Sequence, residues 1–374
     1  MDSRRQNAAS LEPVLAEIRD AHVALGGGAV RIMEICGGQT HSILRHGLDT
    51  LLPEGITLLH GPGCPVCVTP GAYLDHAIAL ARRPEVTICA FGDLWRVPSD
   101  HSGDLFSAKA GGADVRMVTS PLQALEIAAA EPARQVVFLA IGFETTAPAN
   151  ALAIQLTRRR QLKNVSFLVS QVLLPPAIRR IASAPSAPDA FLAAGHVCTV
   201  TGPNPYRRLA AETGRPIAIT GFTPQEILLG IAAALRLLGR MRASPGKPAD
   251  LFNAYPASVH PDGAPDALRL INETFVVCDQ LWRGLGAIPK SGLAIRPELA
   301  EFDAGIRFPL VEFEPDAASK AGGAGCISDR ILLGMALPSD CPHFARDCTP
   351  LTPLGAPMVS AEGACAAFHL HRHP

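Results

Sequence analysis

The chain has 374 residues, of which 48% are hydrophobic and 18% charged, and its formal net charge is −1 at pH 7. That length allows two or three domains with sizeable cores. The balanced charge gives no footprint for nucleic acid or a membrane surface, and no apolar run reaches the roughly 18 residues that a membrane span needs. Met1–Asp20 is polar and lacks the apolar core of a signal peptide, so a cytoplasmic setting is expected. In a reducing compartment, ten cysteines point to metal binding or thiol chemistry rather than to a disulfide framework.

In chain order, Val30–Ile35 reads as a short strand, and Thr40–Leu52 has helical spacing. Ile56–Leu59 is a second strand. Thr69 is predicted to cap a helix that starts at Pro70 and runs to about Arg83. Val86–Phe91 and Val115–Val118 are strands, with a helix at Leu105–Ala110 between them. The pattern repeats with strand Gln135–Ile141, a helix to about Arg160, strand Val165–Val169 and a helix opened by Pro175-Pro176. Phe191–Val200 is predicted to hold one or two short strands around Gly195-His196. Pro216–Ile219 is a strand, and Thr223-Pro224 opens a long helix ending near Gly239. Ala243–Asp250 reads as a linker, Asp266–Cys278 as a helix, and Trp282–Ile288 as a Gly-rich turn. From Pro315 the chain is rich in Gly, Pro and Cys, a composition suited to a region held by a metal. Strands alternating with helices predict parallel sheets with right-handed crossovers. The expected units are 1–119, 120–243 and 244–374.

Two stretches concentrate chemistry near the N-terminus: Cys36-Gly37-Gly38-Gln39-Thr40-His41 and Gly61-Pro62-Gly63-Cys64-Pro65-Val66-Cys67. Each lies at a strand-to-helix turn, where open α/β folds build their sites. Cys64 and Cys67 have the spacing of a reversible disulfide, and a helix N-terminus nearby would favour a thiolate. Cys36 with His41 offers a thiolate and an imidazole to a soft or borderline metal. Cys326, Cys341, Cys348 and Cys365 are separated by fourteen, six and sixteen residues. Four thiolates suit either zinc or a [4Fe–4S] cluster, and this spacing favours neither. Glu144, Thr145 and Thr146 occupy another strand-to-helix turn, where hydroxyls and N–H groups can orient a ligand. His196 is placed to line an inter-domain crevice. Cys89, Cys198 and Cys278 read as packing residues, and His371 and His373 as an inert tail. No P-loop, dinucleotide fingerprint, G-x-S-x-G or H-E-x-x-H is present.

These stretches resemble the HypD family of hydrogenase maturation factors. The resemblance rests on Met33–His41, His60–Pro70, Gly142–Pro148, Gly195-His196-Val197, Trp282–Leu293 and Met358–Cys365. It implies two parallel-sheet α/β domains flanking a cleft, plus a C-terminal domain that binds a [4Fe–4S] cluster through Cys326, Cys341, Cys348 and Cys365. It also implies a scaffold for the Fe(CN)2CO unit of [NiFe]-hydrogenase, with a small partner, HypC, and a cyanide-delivering partner, HypE. In that reading Cys36 holds iron together with a cysteine of HypC, His41 is the cleft histidine near Cys36, and Cys64/Cys67 are the redox pair beside the cluster. The chain departs from the family at Cys326-Ile327-Ser328-Asp329, which keeps one thiol, and at Pro357, where members often carry a cysteine. A different reading of the same residues is a stand-alone, cluster-driven thiol-disulfide reductase that needs no iron at Cys36. A zinc-stabilised interaction protein is a third.

Overall fold

The computed structural model describes residues 2–309 and 325–372, with side chains from residue 11 onward. The start of the Gly/Pro-rich tail at Pro315, and His373, lie outside the described residues. Eleven described strands form two sheets. In chain order they are β1 (Val30–Glu34), β2 (Ile56–His60), β3 (Val86–Ala90), β4 (Val115–Met117), β5 (Gln135–Gly142) and β6 (Val165–Val172). Then follow β7 (Ala190–Ala194), β8 (Ile217–Thr220), β9 (Leu251–Asn253), β10 (Phe275–Trp282) and β11 (Gly286–Ile295).

The first sheet has the order β2-β1-β7-β8-β9 and is parallel throughout. The second has the order β10-β11-β6-β5-β3-β4, four parallel strands extended at one edge by an antiparallel hairpin. Strands such as β3 and β7 are buried at every residue. That is why they read as continuous apolar runs rather than as alternating ones.

Sheet membership does not follow the expected boundary at residue 119. Residues 1–119 supply β1 and β2 to the first sheet and β3 and β4 to the second. Residues 120–243 are split likewise, and the segment after 244 adds β9 to one sheet and the β10–β11 hairpin to the other. The cause is a non-local pairing, Ile32 with Ala190, which no neighbouring residue announces. A shared core joins the two sheets, with Met33, Ile35 and Phe191 packed in one cluster with Phe143, Val172 and Trp282.

Three local expectations change, and the N-terminal segment, for which no element was predicted, takes a definite form. The N-terminal segment is a helix, Asp2–Ala24, which packs Leu15 and Ile18 with Ile231 and Leu235 of the helix Pro224–Ala243. Thr69 ends a short helix, Pro65–Val68, and its hydroxyl donates to the Pro65 carbonyl; Pro70 caps the next helix, Gly71–Ala81. After β7 the chain forms a helix, Gly195–Thr201, despite its β-branched Val197, Thr199, Val200 and Thr201. The predicted helix Asp266–Cys278 stops at Thr274, and Phe275 enters β10. The long helix Pro224–Ala243 opens as expected on Thr223, which forms a reciprocal capping box with Glu226. Among the described residues, no helix is long and apolar enough to cross a membrane.

Candidate functional site

In the first sheet, the chain leaves β1 toward β2 on one side and returns through β7 on the other. The C-terminal ends of β1 and β7 therefore flank a topological switch point, where open α/β sheets bind ligands. Cys36 lies two residues beyond β1, and His196 is the second residue of the helix that directly follows β7. Cys36 Sγ stands 3.7 Å from His196 Nδ1. Phe222 packs on the His196 ring at 5.2 Å.

Cys36 is buried and occupies the capping position of the helix Gly37–His46. Its backbone is held by Glu34, whose Oε2 accepts the Cys36 N–H at 2.8 Å. Glu34 Oε1 also accepts the Thr40 hydroxyl and pairs with His60 Nδ1 at 2.8 Å. Gln39 fastens the same helix to the sheet by donating to Thr220 Oγ1 at 2.7 Å and the Ala193 carbonyl at 3.2 Å. Burial pushes the Cys36 thiol far above its ordinary range, against the pull of the Gln39 N–H, and the charges of Glu34 and Glu362 add to the rise. Burial pushes His196 down. The pair is thus a neutral thiol facing a neutral imidazole, and a metal binding the sulfur would displace its proton.

Gly63 brings the second cysteine stretch against the first. A Cβ there would lie 2.2 Å from the Cys36 nitrogen, and the Gly63 carbonyl accepts the Gly37 N–H at 3.1 Å. Next in sequence, Cys64 and Cys67 form a disulfide with a Cα separation of 5.3 Å. Their helical turn is the separate Pro65–Val68, not the expected helix from Pro70, and the Cys67 N–H donates to Cys64 Sγ at 3.2 Å.

The C-terminal segment closes over both stretches. Gly37 has no room for a side chain because a Cβ would meet the Glu362 carbonyl oxygen at 2.2 Å. The final helix, Ala364–Arg372, packs Ala367 and Phe368 on Leu44, and Phe368 meets the His60 ring edge-on at 5.2 Å. Cys326, Cys341, Cys348 and Cys365 line one small apolar cavity with Phe344 and Met358. Burial and the nearby thiols of Cys326, Cys348 and Cys341 push Cys365 well up. At Gly355 a Cβ would come within 2.6 Å of Cys326 Sγ. Among the described residues, no three His, Cys, Asp or Glu side chains are grouped so as to hold a metal ion.

The second sheet has its own switch point, between β3 and β5. A cavity there is lined by Phe91, Asp93, Ile141 and Thr146, together with Pro65 and Val66 of the disulfide turn and Glu362. Burial raises both the Asp93 and the Glu362 carboxyls, and the nearby Asp93 raises Glu362 further. Thr146 donates to the Phe143 carbonyl at 3.1 Å. Glu144 points into the protein, where Oε1 accepts the Leu174 N–H at 3.1 Å and Oε2 has no partner; burial pushes it up to about 7. Thr145 is partly exposed.

His41 is not where the sequence reading set it. Its imidazole packs on His371, with the two Nε2 atoms 3.4 Å apart, and His196 is the imidazole against Cys36. With about 3.6 residues per helical turn, a residue five positions past Cys36 faces another side. His371, read as inert, is therefore part of a packed pair. Cys89 and Cys198 are buried as expected. The sequence reading passed over Glu34, His60, Asp93, Arg283 and Glu362. Only Glu34 carried a signal, because a carboxylate inside an apolar run destined for the core must be paired.

Residues 10–372 match the HypD family, described as "Hydrogenase formation hypA family". The chain is 41% identical over 370 residues to hydrogenase maturation factor HypD2 of Bradyrhizobium diazoefficiens, covering 94% of each chain. It is 42% identical over 371 residues to hydrogenase maturation factor HypD of Rhodobacter capsulatus, covering 98% of this chain and 96% of that one. With the Escherichia coli protein of the same name it shares 41% identity over 345 residues, 92% of this chain and 89% of the relative. Full-length matches at this identity, joined to the cysteine stretches at the switch point, show that the chain belongs to the HypD family of hydrogenase maturation factors.

Proposed function

We propose that this chain is the scaffold on which the Fe(CN)2CO unit of [NiFe]-hydrogenase is built, with iron as its cargo at Cys36. The observation that carries the reading is the position of Cys36. It lies at a switch point against His196, with the Cys64–Cys67 disulfide beside it and the four-cysteine cavity packed behind. The His196 imidazole, 3.7 Å from Cys36 Sγ, is the neighbouring base toward which the thiol proton leaves when iron binds. A second thiol, from a small partner of the HypC kind, completes the hold on the iron.

The residues around the four-cysteine cavity fit a [4Fe–4S] cluster. A cubane takes one thiolate per iron and needs its ligands around a space. The four thiols line one apolar cavity, and a buried guanidinium whose charge Cys326 favours, that of Arg283, has two nitrogens without partners. Held by Cys326, Cys341, Cys348 and Cys365, the cluster would relay electrons one at a time from an external low-potential donor, two of them with two protons per Cys64–Cys67 disulfide returned to the dithiol. The dithiol then acts on a thiocyanate-capped thiol of the kind HypE delivers. Two thiols and R–S–CN give the disulfide, R–SH and HCN, so two electrons and two protons are accounted for. Released cyanide meets iron at Cys36, a step favoured by the buried, dry surroundings of that thiol.

The test uses the reduced, oxygen-free protein and a synthetic S-cyanated peptide. Cyanide release should match disulfide formation one for one and vanish in Cys67→Ser. Release that continues in that variant would contradict the reading. Cys36→Ala separates the two readings: it should spare a stand-alone thiol-disulfide reductase activity and abolish the scaffold function.

A further inference from the structure

Arg283 opens the turn between β10 and β11 and is 5% exposed. Its backbone N–H donates to the Val68 carbonyl at 2.7 Å, one residue past Cys67. Its Nη2 donates to the Pro98 carbonyl at 2.8 Å. Nε and Nη1 are buried and have no partner. The next residue, Gly284, has φ +81°, and a Cβ there would lie 3.2 Å from Asp329 Cα, in the helix Ser328–Leu332 just after Cys326. The arginine thus touches the disulfide turn on one side and stands against the Cys326 segment on the other.

A buried guanidinium keeps its charge, and an uncompensated buried charge is costly. Among the described residues no carboxylate is within ion-pair distance of Arg283. Burial works against the Arg283 charge, and the nearby groups that favour it are Asp100, Cys326 and Asp75. Asp75 is already engaged, accepting the N–H groups of Asp100, His101 and Ser102. None of these groups reaches the buried Nε and Nη1, and Cys326 becomes a full negative neighbour once it ligates a metal.

We propose that Arg283 is a positioning residue for the redox chemistry, taking its counter-charge from the thiolate-ligated cluster and raising the potential at which that cluster accepts an electron. The inference rests on the four cysteines holding a [4Fe–4S] cluster. One-electron reduction by a low-potential donor such as dithionite adds one negative charge beside a fixed positive one, so the reduced form gains most from Arg283. Because the Arg283 backbone also holds the end of the Cys64–Cys67 turn, the same residue fixes the spacing between the electron source and its acceptor.

The test compares the full chain with Arg283→Gln and Arg283→Lys, each reconstituted with iron and sulfide without oxygen. Iron and sulfide are counted first, then the cluster is titrated with dithionite under electron paramagnetic resonance. Arg283→Gln should shift the midpoint to more negative potential, and Arg283→Lys should restore most of it. A second readout is the sign of the stability change. Without the cluster, Arg283→Gln should raise the denaturation midpoint, since it removes an uncompensated charge; with the cluster it should lower it. A full cluster with an unshifted midpoint in Arg283→Gln overturns the inference, as does destabilisation of the cluster-free protein by that variant. Wild-type protein that binds no iron and sulfide overturns the cluster reading itself.

Discussion

Cys36 and His196 come just after neighbouring parallel strands, and Cys36 Sγ and His196 Nδ1 meet at 3.7 Å across 160 residues of sequence. The contact unites two stretches that look unrelated in the chain. Parallel pairing of Ile32 with Ala190 brings the ends of β1 and β7 level, and local contacts at each strand end then fix the two side chains. After β1, Glu34 holds the Cys36 N–H; after β7, Phe222 packs on the His196 ring.

The Cys36 thiol should react slowly at neutral pH, because burial holds it protonated. His196 is the base that faces it. His196→Ala should slow labelling of Cys36 by methyl methanethiosulfonate by about tenfold or more, whereas His41→Ala should leave the rate nearly unchanged. Mass spectrometry of the labelled peptide gives both rates. Equal slowing in the two variants would return His41 to the vicinity of Cys36.

Glu144 should make stability fall with rising pH. Its carboxyl is raised to about 7 in the fold, against about 4.3 in an unfolded chain. Above the lower value the unfolded state loses its proton while the folded state retains it. Stability is therefore fully present below about pH 4.3, falls up to about pH 7, and is level beyond. Glu144→Gln should remove that slope and stabilise the protein by up to about 4 kcal/mol at pH 8, with little change at pH 4. Urea denaturation at the two pH values measures it.

Gly355→Ala tests the cysteine cavity through packing alone. A methyl group 2.6 Å from Cys326 Sγ must displace that thiol. Overpacking of about 1–3 kcal/mol, if it falls on the bound state, corresponds to about 5- to 100-fold weaker retention of iron. Iron and sulfide analysis after desalting should show the loss while circular dichroism stays the same.

The disulfide and the four-cysteine cavity should be coupled. In oxygen-free protein, a one-electron donor should reduce Cys64–Cys67, as read by alkylation and mass shift, and Cys341→Ser should block that route. Dithiothreitol, a two-electron thiol reductant, should reduce the pair in both proteins. Reduction by the one-electron donor in Cys341→Ser would separate the two sites.

Much of the fold was legible because buried parallel strands are written as apolar runs, and β1, β2, β3 and β5 fall where Ile32, Leu58, Ile88 and Phe138 predict. Their division between two sheets was not, since it depends on pairings such as Ile32 with Ala190. The helix after Gly195 was missed because Val197, Thr199 and Val200 favour strands locally, and packing in the core overrides them. The cysteines of the site stood out through their spacing and glycines. His196 as the partner of Cys36 did not, because the contact is purely tertiary. Arg283 sits in a turn, and its buried, partly unpartnered guanidinium becomes visible only once the surrounding loops are in place.

The most direct test is an infrared spectrum of the protein purified without oxygen together with its small partner. A scaffold that holds iron at Cys36 should show cyanide and carbonyl stretching bands, retained in Cys89→Ala and lost in Cys36→Ala. Bands that persist in Cys36→Ala, or a cluster-loaded wild-type complex without any, would contradict the assignment of Cys36 as the iron ligand.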